Sequence, residues 1–266
     1  MKRIVCDQLG RKVVVPVAPQ RIVSLVPSLS EFLVDVGAAE RLVGVTRYCS
    51  RPATILQSRV NVGGTKKFDF DAIRQLSPDL IIANKEENYQ SGIDALAAEF
   101  PVWVSDINTL DDALLALSKI SELADCAEAG EAMLVRIRES FARLPDACGE
   151  GPRVCYLIWR KPWMTVGSEN FISDMLKRAG LRNVFQRHPD RYPAVSIDEI
   201  EAAEPDVVLL SSEPYPFAES HAEEIRTLLP RSEVLIVDAE PFSWYGSRLL
   251  HSVGAFASLR RRLSGL

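Results

Sequence analysis

The chain has 266 residues, 47% of them hydrophobic, with 31 basic residues against 36 acidic ones and a formal charge of −5. That is enough for two domains of ordinary size, each with its own core. The charge balance leaves no surplus for a nucleic-acid surface, and the longest basic run, Arg260-Arg261-Arg262, reads as a solvated helix end. The five cysteines include no Cys-x-x-Cys pair, which argues against a zinc module or a disulfide framework and for a reducing compartment.

Met1-Lys2-Arg3 is a basic start, but the apolar run Ile4-Val5-Cys6 is stopped by Asp7, short of the roughly 7 to 15 apolar residues of a secretory signal. Cys6 is a poor lipid-anchor site for the same reason. The expectation is a cytosolic chain or one whose signal lies outside this sequence. No apolar stretch approaches the roughly 18 residues of a membrane span.

Residues 5–16 alternate apolar and polar around Leu9-Gly10, which predicts a hairpin ended by Pro16. Arg21 to Val26 reads as a strand feeding a helix, with Ser28 and Glu31 spaced as a capping box and Gly37 as the stop. Leu42 to Thr46 completes a βαβ unit. A helix beginning near Asp71, a turn at Ser77-Pro78-Asp79 and a buried strand from Leu80 to Ala83 follow. Asp71 reads as a helix cap and Asp79 as a turn former. A helix from Gly92 to Phe100 and a strand at Val102 to Val104 come next. From Leu110 to Leu144 the spacing is helical without strands, and a helix from Ala127 to Leu144 would run about 27 Å, long enough to bridge two lobes.

After the Gly149-Glu150-Gly151-Pro152 break the pattern restarts. Arg153 to Ile158 parallels Arg21 to Val26, and the helix Phe171 to Ala179 ends at Gly180 as the first ended at Gly37. Asp198-Glu199-Ile200 through Pro205-Asp206 repeats Asp71-Ala72-Ile73 through Pro78-Asp79, both as Asp-x-Ile-x-x-x-x-Pro-Asp before an apolar run, 127 positions apart. A helix from Ala222 to Leu229, a strand from Val234 to Val237 and a helix from Arg248 to Arg262 complete the chain. The reading is α/β: an N-terminal lobe over 1–108, a helical segment over 109–147 and a C-terminal lobe over 148–266.

Chemistry would lie where strands end. Three aromatic-rich segments fall there, with Trp159, Arg160 and Trp163 in the first, Glu213, Tyr215 and Phe217 in the second, and Phe242, Trp244, Tyr245 and Arg248 in the third. Aromatic rings with arginines among them suit a large planar or macrocyclic ligand bearing carboxylates or amides, or else fill the lobe interface. The first lobe offers Tyr48, Lys66 and Glu87 as polar contacts across a cleft, or as ordinary surface. There is no nucleophile elbow, phosphate-cradling glycine loop or His-Glu-x-x-His. His221 is either an axial ligand to a metal in a bound tetrapyrrole or a surface or helix-cap histidine.

These residues resemble the helical-backbone metal-chelate receptors, the solute-binding proteins of ABC importers. The resemblance rests on Arg21-Ile22-Val23-Ser24-Leu25-Val26-Pro27-Ser28 with Glu31, on Val43-Gly44-Val45, on Pro78-Asp79-Leu80-Ile81, on the interlobe helix and on Pro205-Asp206. It is nearest the vitamin B12-binding branch, with haem and iron-siderophore receptors as alternatives. It implies two Rossmann-like lobes joined by a single long interlobe helix, the class III periplasmic-binding-protein fold, and a monomer without intrinsic cofactor that captures a metal chelate such as cobalamin, haem or a ferric siderophore. It also implies an ABC importer permease as partner, docked through Asp71 and Asp198, and a cell-envelope location. Tyr48, the Lys66 loop, Trp159, Trp163, Phe242, Trp244 and Tyr245 would face the ligand. The reading from another class is a cytoplasmic two-lobed enzyme or carrier using the same cleft; the missing acid-base pair and phosphate loop count against catalysis.

Overall fold

The computed structural model describes residues 1–145 and 151–264. They form two compact units. The first comprises Met1–Ile107, Asp111–Arg138 and Tyr245–Ser247; the second comprises Asn108–Leu110, Glu139–Trp244 and Arg248–Leu266. Of the stretch 109–147, Thr109 and Leu110 fall in the second unit, Asp111–Arg138 in the first, and the residues from Glu139 on in the second again. Cys148 and the Gly149-Glu150 part of the expected break lie outside the described residues.

The first unit opens with the hairpin of β1 (Lys2–Cys6) and β2 (Lys12–Pro16). Asp7, the residue that stops the apolar run, closes its turn by accepting from the backbone N–H of Leu9 and Arg11 and from Nε of Arg11. Then come β3 (Ile22–Ser24), α1 (Pro27–Asp35), β4 (Leu42–Val45), α2 (Ile55–Ser58), β5 (Val60–Asn61), the small hairpin β6 (Gly63–Gly64) and β7 (Lys67–Phe68), α3 (Phe70–Leu76), β8 (Leu80–Asn84), α4 (Gln90–Ala97) and β9 (Val102–Ser105). The strands pair in the order β5-β4-β3-β8-β9, all parallel. All five residues of β8 are buried, as a strand covered on both faces requires. α5 (Leu110–Leu123) follows, and α6 (Ala127–Ala142), about 24 Å long at 1.5 Å per residue, carries the chain into the second unit.

The second unit contains β10 (Arg153–Trp159), β11 (Trp163–Thr165), α7 (Phe171–Arg178), β12 (Arg182–Asn183), β13 (Ala194–Val195), α8 (Ile197–Ala202), β14 (Val207–Ser211), α9 (Glu219–Leu228), β15 (Glu233–Val237), α10 (Glu240–Ser243) and α11 (Leu249–Leu263). β12, β10, β14 and β15 are parallel, while β11 and β13 add an antiparallel margin beside β10. The first unit has no counterpart of that margin, since β3 passes directly into α1.

The sequence repeat is reproduced device by device. Asp69 caps α3 by accepting from Ala72 N–H, and Ser196, 127 positions on, caps α8 in a reciprocal capping box with Glu199. Each helix ends on a left-handed residue, Ser77 at φ 44° and Glu204 at φ 43°. The Asp79 carboxylate then accepts from the backbone N–H of Gln20 and Arg21 at 2.8 and 2.9 Å, and Asp206 accepts from Arg153 N–H at 2.7 Å. The arginine in each copy donates to the last turn of the helix, Arg21 to the Leu76 carbonyl and Arg153 to the Ala203 carbonyl. Gly37 and Gly180, at φ 91° and 75°, stop α1 and α7 as their positions suggested.

Two expected caps are displaced. Pro27, preset for the first helical position, starts α1 one residue early, so Ser28 lies inside the first turn and Val26 is a cap without a side-chain acceptor. Asp71 is likewise the second residue of α3, paired with Arg74 at 3.1 Å, because Asp69 holds the capping position.

Removing the Asp79 acceptor in Asp79→Ala is expected to cost about 1–2 kcal/mol, since two backbone donors lose a charged partner. Asp71→Ala, which removes one side of an exposed ion pair, should leave the urea midpoint unchanged. Equilibrium urea unfolding of the two variants checks the contrast; an unchanged midpoint in Asp79→Ala would show that the clamp is dispensable.

Candidate functional site

The C-terminal ends of parallel strands are where backbone polarity and loop freedom meet, so open α/β sheets bind ligands there. In the second unit the ends of β10, β14 and β15 carry the three aromatic segments, and two of them merge into one cluster. The Trp159 ring meets Tyr215 edge-on at 5.5 Å, Tyr215 meets Phe217 at 4.8 Å, and Trp163 lies nearly parallel to Phe217, at 9° and 6.2 Å. Burial is graded through this group: Phe217 is buried, Tyr215 and Trp163 are half-buried, and Trp159 is 40% exposed. A graded aromatic face of this kind offers π-surface to a planar partner.

Its arginine and histidine are committed. Arg160 grips Glu224 of α9 with two bonds, at 3.0 and 2.9 Å, and lies 5.4 Å from the Trp163 ring. The Glu224 bond holds the guanidinium above its usual pKa. His221, considered as a metal ligand, caps α9 instead. Its Nδ1 accepts from Ala218 N–H at 2.9 Å and its Nε2 lies 3.2 Å from the Tyr215 hydroxyl, so both ring nitrogens are engaged. Among the described residues no group of three or more His, Cys, Asp or Glu side chains could hold a metal ion.

The third segment divides. Phe242 is 2% exposed and packs between Tyr156 and Phe256, so it belongs to the core of the unit and not to a ligand surface. Trp244 is half-buried and donates its indole N–H to Glu213 Oε1 at 2.7 Å, where Ser243 Oγ also donates, at 3.1 Å. Burial lifts the Glu213 carboxyl above the ordinary glutamate range, Glu240 and Asp238 adding to the effect and the two hydrogen bonds opposing it. Arg248 pairs with Glu240 at 3.1 Å, both side chains being 19% exposed. Tyr156, which the sequence reading placed only in a strand, is fully buried beneath these groups, and burial, with the Glu213 charge second, pushes its hydroxyl up.

Tyr245 belongs to the first unit and is buried. Beside it Gly246, at φ 124°, brings its backbone so close to α1 that a Cβ would lie 2.8 Å from the Ser28 carbonyl oxygen, and Ser247 donates to Asp35. Glycine is required there by both conformation and space.

In the first unit Tyr48 is the exposed ring, 58% accessible, with the Arg47 guanidinium 5.9 Å from it. Lys66 is exposed and ties two loops together, donating to the carbonyls of Glu86 and Asn88 at 2.6 and 3.4 Å. Glu87 is half-buried in the loop after β8, its N–H bonded to Asn84 Oδ1. That loop is set by two buried amides missed in the sequence reading: Asn84, bonded to Ser105, and Asn88, which bridges the Leu25 and Thr65 carbonyls. An Asn-x-x-x-Asn spacing at a strand end was the available signal. Asp71 and Asp198 are both exposed, each the second residue of its copy of the duplicated helix.

His221→Ala is expected to cost about 1 kcal/mol of stability through loss of the helix cap, and to leave the Soret band of added hemin unchanged. Thermal denaturation and a visible spectrum check both, and a hemin band that shifts in the variant would restore His221 as a ligand.

The family model described as periplasmic binding protein matches residues 22–229. A vitamin B12-binding protein of Pectobacterium carotovorum is 26% identical over 253 residues, 92% of this chain and 90% of that protein. Among solved structures, a periplasmic vitamin B12 binding protein of Vibrio cholerae aligns with TM-score 0.79 at 22% identity, covering 94% of this chain and all of that one, and a periplasmic heme binding protein from Pseudomonas aeruginosa aligns with TM-score 0.77 at 22% identity, covering 91% and 92%. The match to the family model spans most of the chain, and both lobes share the expected α/β fold: the protein belongs to the periplasmic binding protein family.

Proposed function

We propose that this protein is a solute-binding component of an ABC importer that captures a corrinoid in its unmodified form, without turning it over. The aromatic face formed by Trp159, Tyr215, Phe217 and Trp163 carries the reading, because its rings are held in place while an edge stays open to solvent. The vitamin B12-binding relatives favour a corrinoid over haem or a ferric siderophore. With Arg160, Arg248 and Lys66 already paired inside their own units, recognition rests on ring surface, Tyr48 and Trp244 included, more than on these cations. Asp71 and Asp198 serve as the two exposed carboxylates for the importer, the protein acting as a monomer in the cell envelope.

Tryptophan quenching and visible spectra on addition of cyanocobalamin, hemin and ferrichrome test this directly. Cyanocobalamin is expected to bind at micromolar Kd or tighter, at roughly −8 kcal/mol or better, and Trp159→Ala to weaken it about tenfold. Tight binding of hemin or ferrichrome alone would reassign the ligand, and no binding of any would sink the reading. In cells carrying the importer, Asp71→Lys with Asp198→Lys should abolish cyanocobalamin uptake at unchanged affinity; undiminished uptake would remove the docking role.

A further inference from the structure

Two strand-end loops of the second unit are joined by one carboxylate. Glu213 follows β14 and Trp244 follows α10, so the 2.7 Å bond from the indole N–H to Oε1 spans neighbouring strand ends, and Ser243 donates to the same oxygen. An indole has a single donor, and this bond fixes its ring about its side-chain torsions while Phe242, two residues earlier, anchors the segment in the core. Ionised acceptors make such bonds shorter and stronger than neutral ones. Building on the ligand-binding reading above, we infer that Glu213 is a positioning residue that holds the Trp244 ring in its ligand-binding orientation, so that ligand affinity falls when the carboxylate takes up a proton.

The charged and titratable groups around Glu213 favour such a response. Tyr156 of β10 lies beneath it, Asp238 follows β15, and Glu240 begins α10 with Arg248 of the next segment paired to it. Two carboxylates and a buried phenol therefore surround Glu213, with the nearby guanidinium engaged by Glu240. The direction follows: the carboxyl gains its proton at a higher pH than an ordinary glutamate, and the hold on the indole weakens as pH falls through that midpoint.

The test uses the full chain labelled with 5-fluorotryptophan, the Trp244 fluorine resonance being assigned from Trp244→Phe. In the ligand-free protein this resonance should shift in one step on acidification, and in Glu213→Gln it should stay constant with pH. Cyanocobalamin affinity at pH 7.5, measured by quenching, is expected to fall about tenfold in Glu213→Ala and about threefold in Glu213→Gln, which keeps a neutral acceptor and should fold even where the alanine variant does not. Glu213→Ala in the Trp244→Phe background should weaken binding no further, because the two changes remove the same interaction. Additive losses, or a Trp244 resonance indifferent to both pH and Glu213, would overturn the inference. If the parent chain binds none of cyanocobalamin, hemin and ferrichrome, the functional reading fails on that count alone, and the resonance in the free protein still decides whether Glu213 holds the ring.

Discussion

Each unit depends on a carboxylate that clamps the backbone at the entry to its first parallel strand. Asp79 receives the N–H groups of Gln20 and Arg21, Asp206 receives that of Arg153, and in both copies the arginine turns back to a carbonyl of the preceding helix end. The constraint is directional. A helix must finish on a left-handed residue, reverse through Pro-Asp and enter the sheet beside a strand that lies more than fifty residues away in sequence, and one carboxylate satisfies donors at that junction which the sheet ladder does not reach. With the junction fixed, the register of β3 against β8 and of β10 against β14 follows. Strand ends, and the loops they carry, are placed by the same constraint.

The order of elements was legible because apolar runs, Pro-Asp turns and glycine stops are local signals. Gly37 and Gly180 were found by position alone, as was each parallel strand longer than two residues, whereas the antiparallel β11 fell inside a segment read as a strand-end loop. Finer placement was not local. Asp69 and Asp71 both suit a helix start, and only the geometry of Ala72 N–H chooses Asp69. Phe242, Trp244 and Tyr245 read as one aromatic run, yet a four-residue helix turns Phe242 into the core and leaves Trp244 bonded to Glu213, because neighbouring strands decide which side is filled.

Charge was the least legible property. Arg160 finds Glu224 64 positions away and Lys66 finds the Glu86 carbonyl 20 positions away, separations that no periodicity reports. A sequence therefore shows which cations stand near a site without showing which are engaged. Once these pairs are made, Arg160 and Lys66 are held by their own neighbours, and what the aromatic group leaves open at its margin is ring surface.

Duplication explains the scaffold, and the departures from it explain the site. Where β3 runs directly into α1, β10 instead folds back into β11, and that added hairpin places Trp159 and Trp163 on either side of its turn. Burying an aromatic ring removes about 150–250 Å² from water, at roughly 25 cal/mol per Å², so a fold selected for stability alone would cover Trp159 as it covers Phe217. It remains 40% exposed although Tyr215 packs against its edge. One exposed ring would carry little weight, but this ring is the open margin of an otherwise packed aromatic group at the ends of parallel strands. Exposure at the margin with packing behind it is the arrangement that preorganises a face for a partner, since the rings behind have already lost their rotational freedom before anything binds.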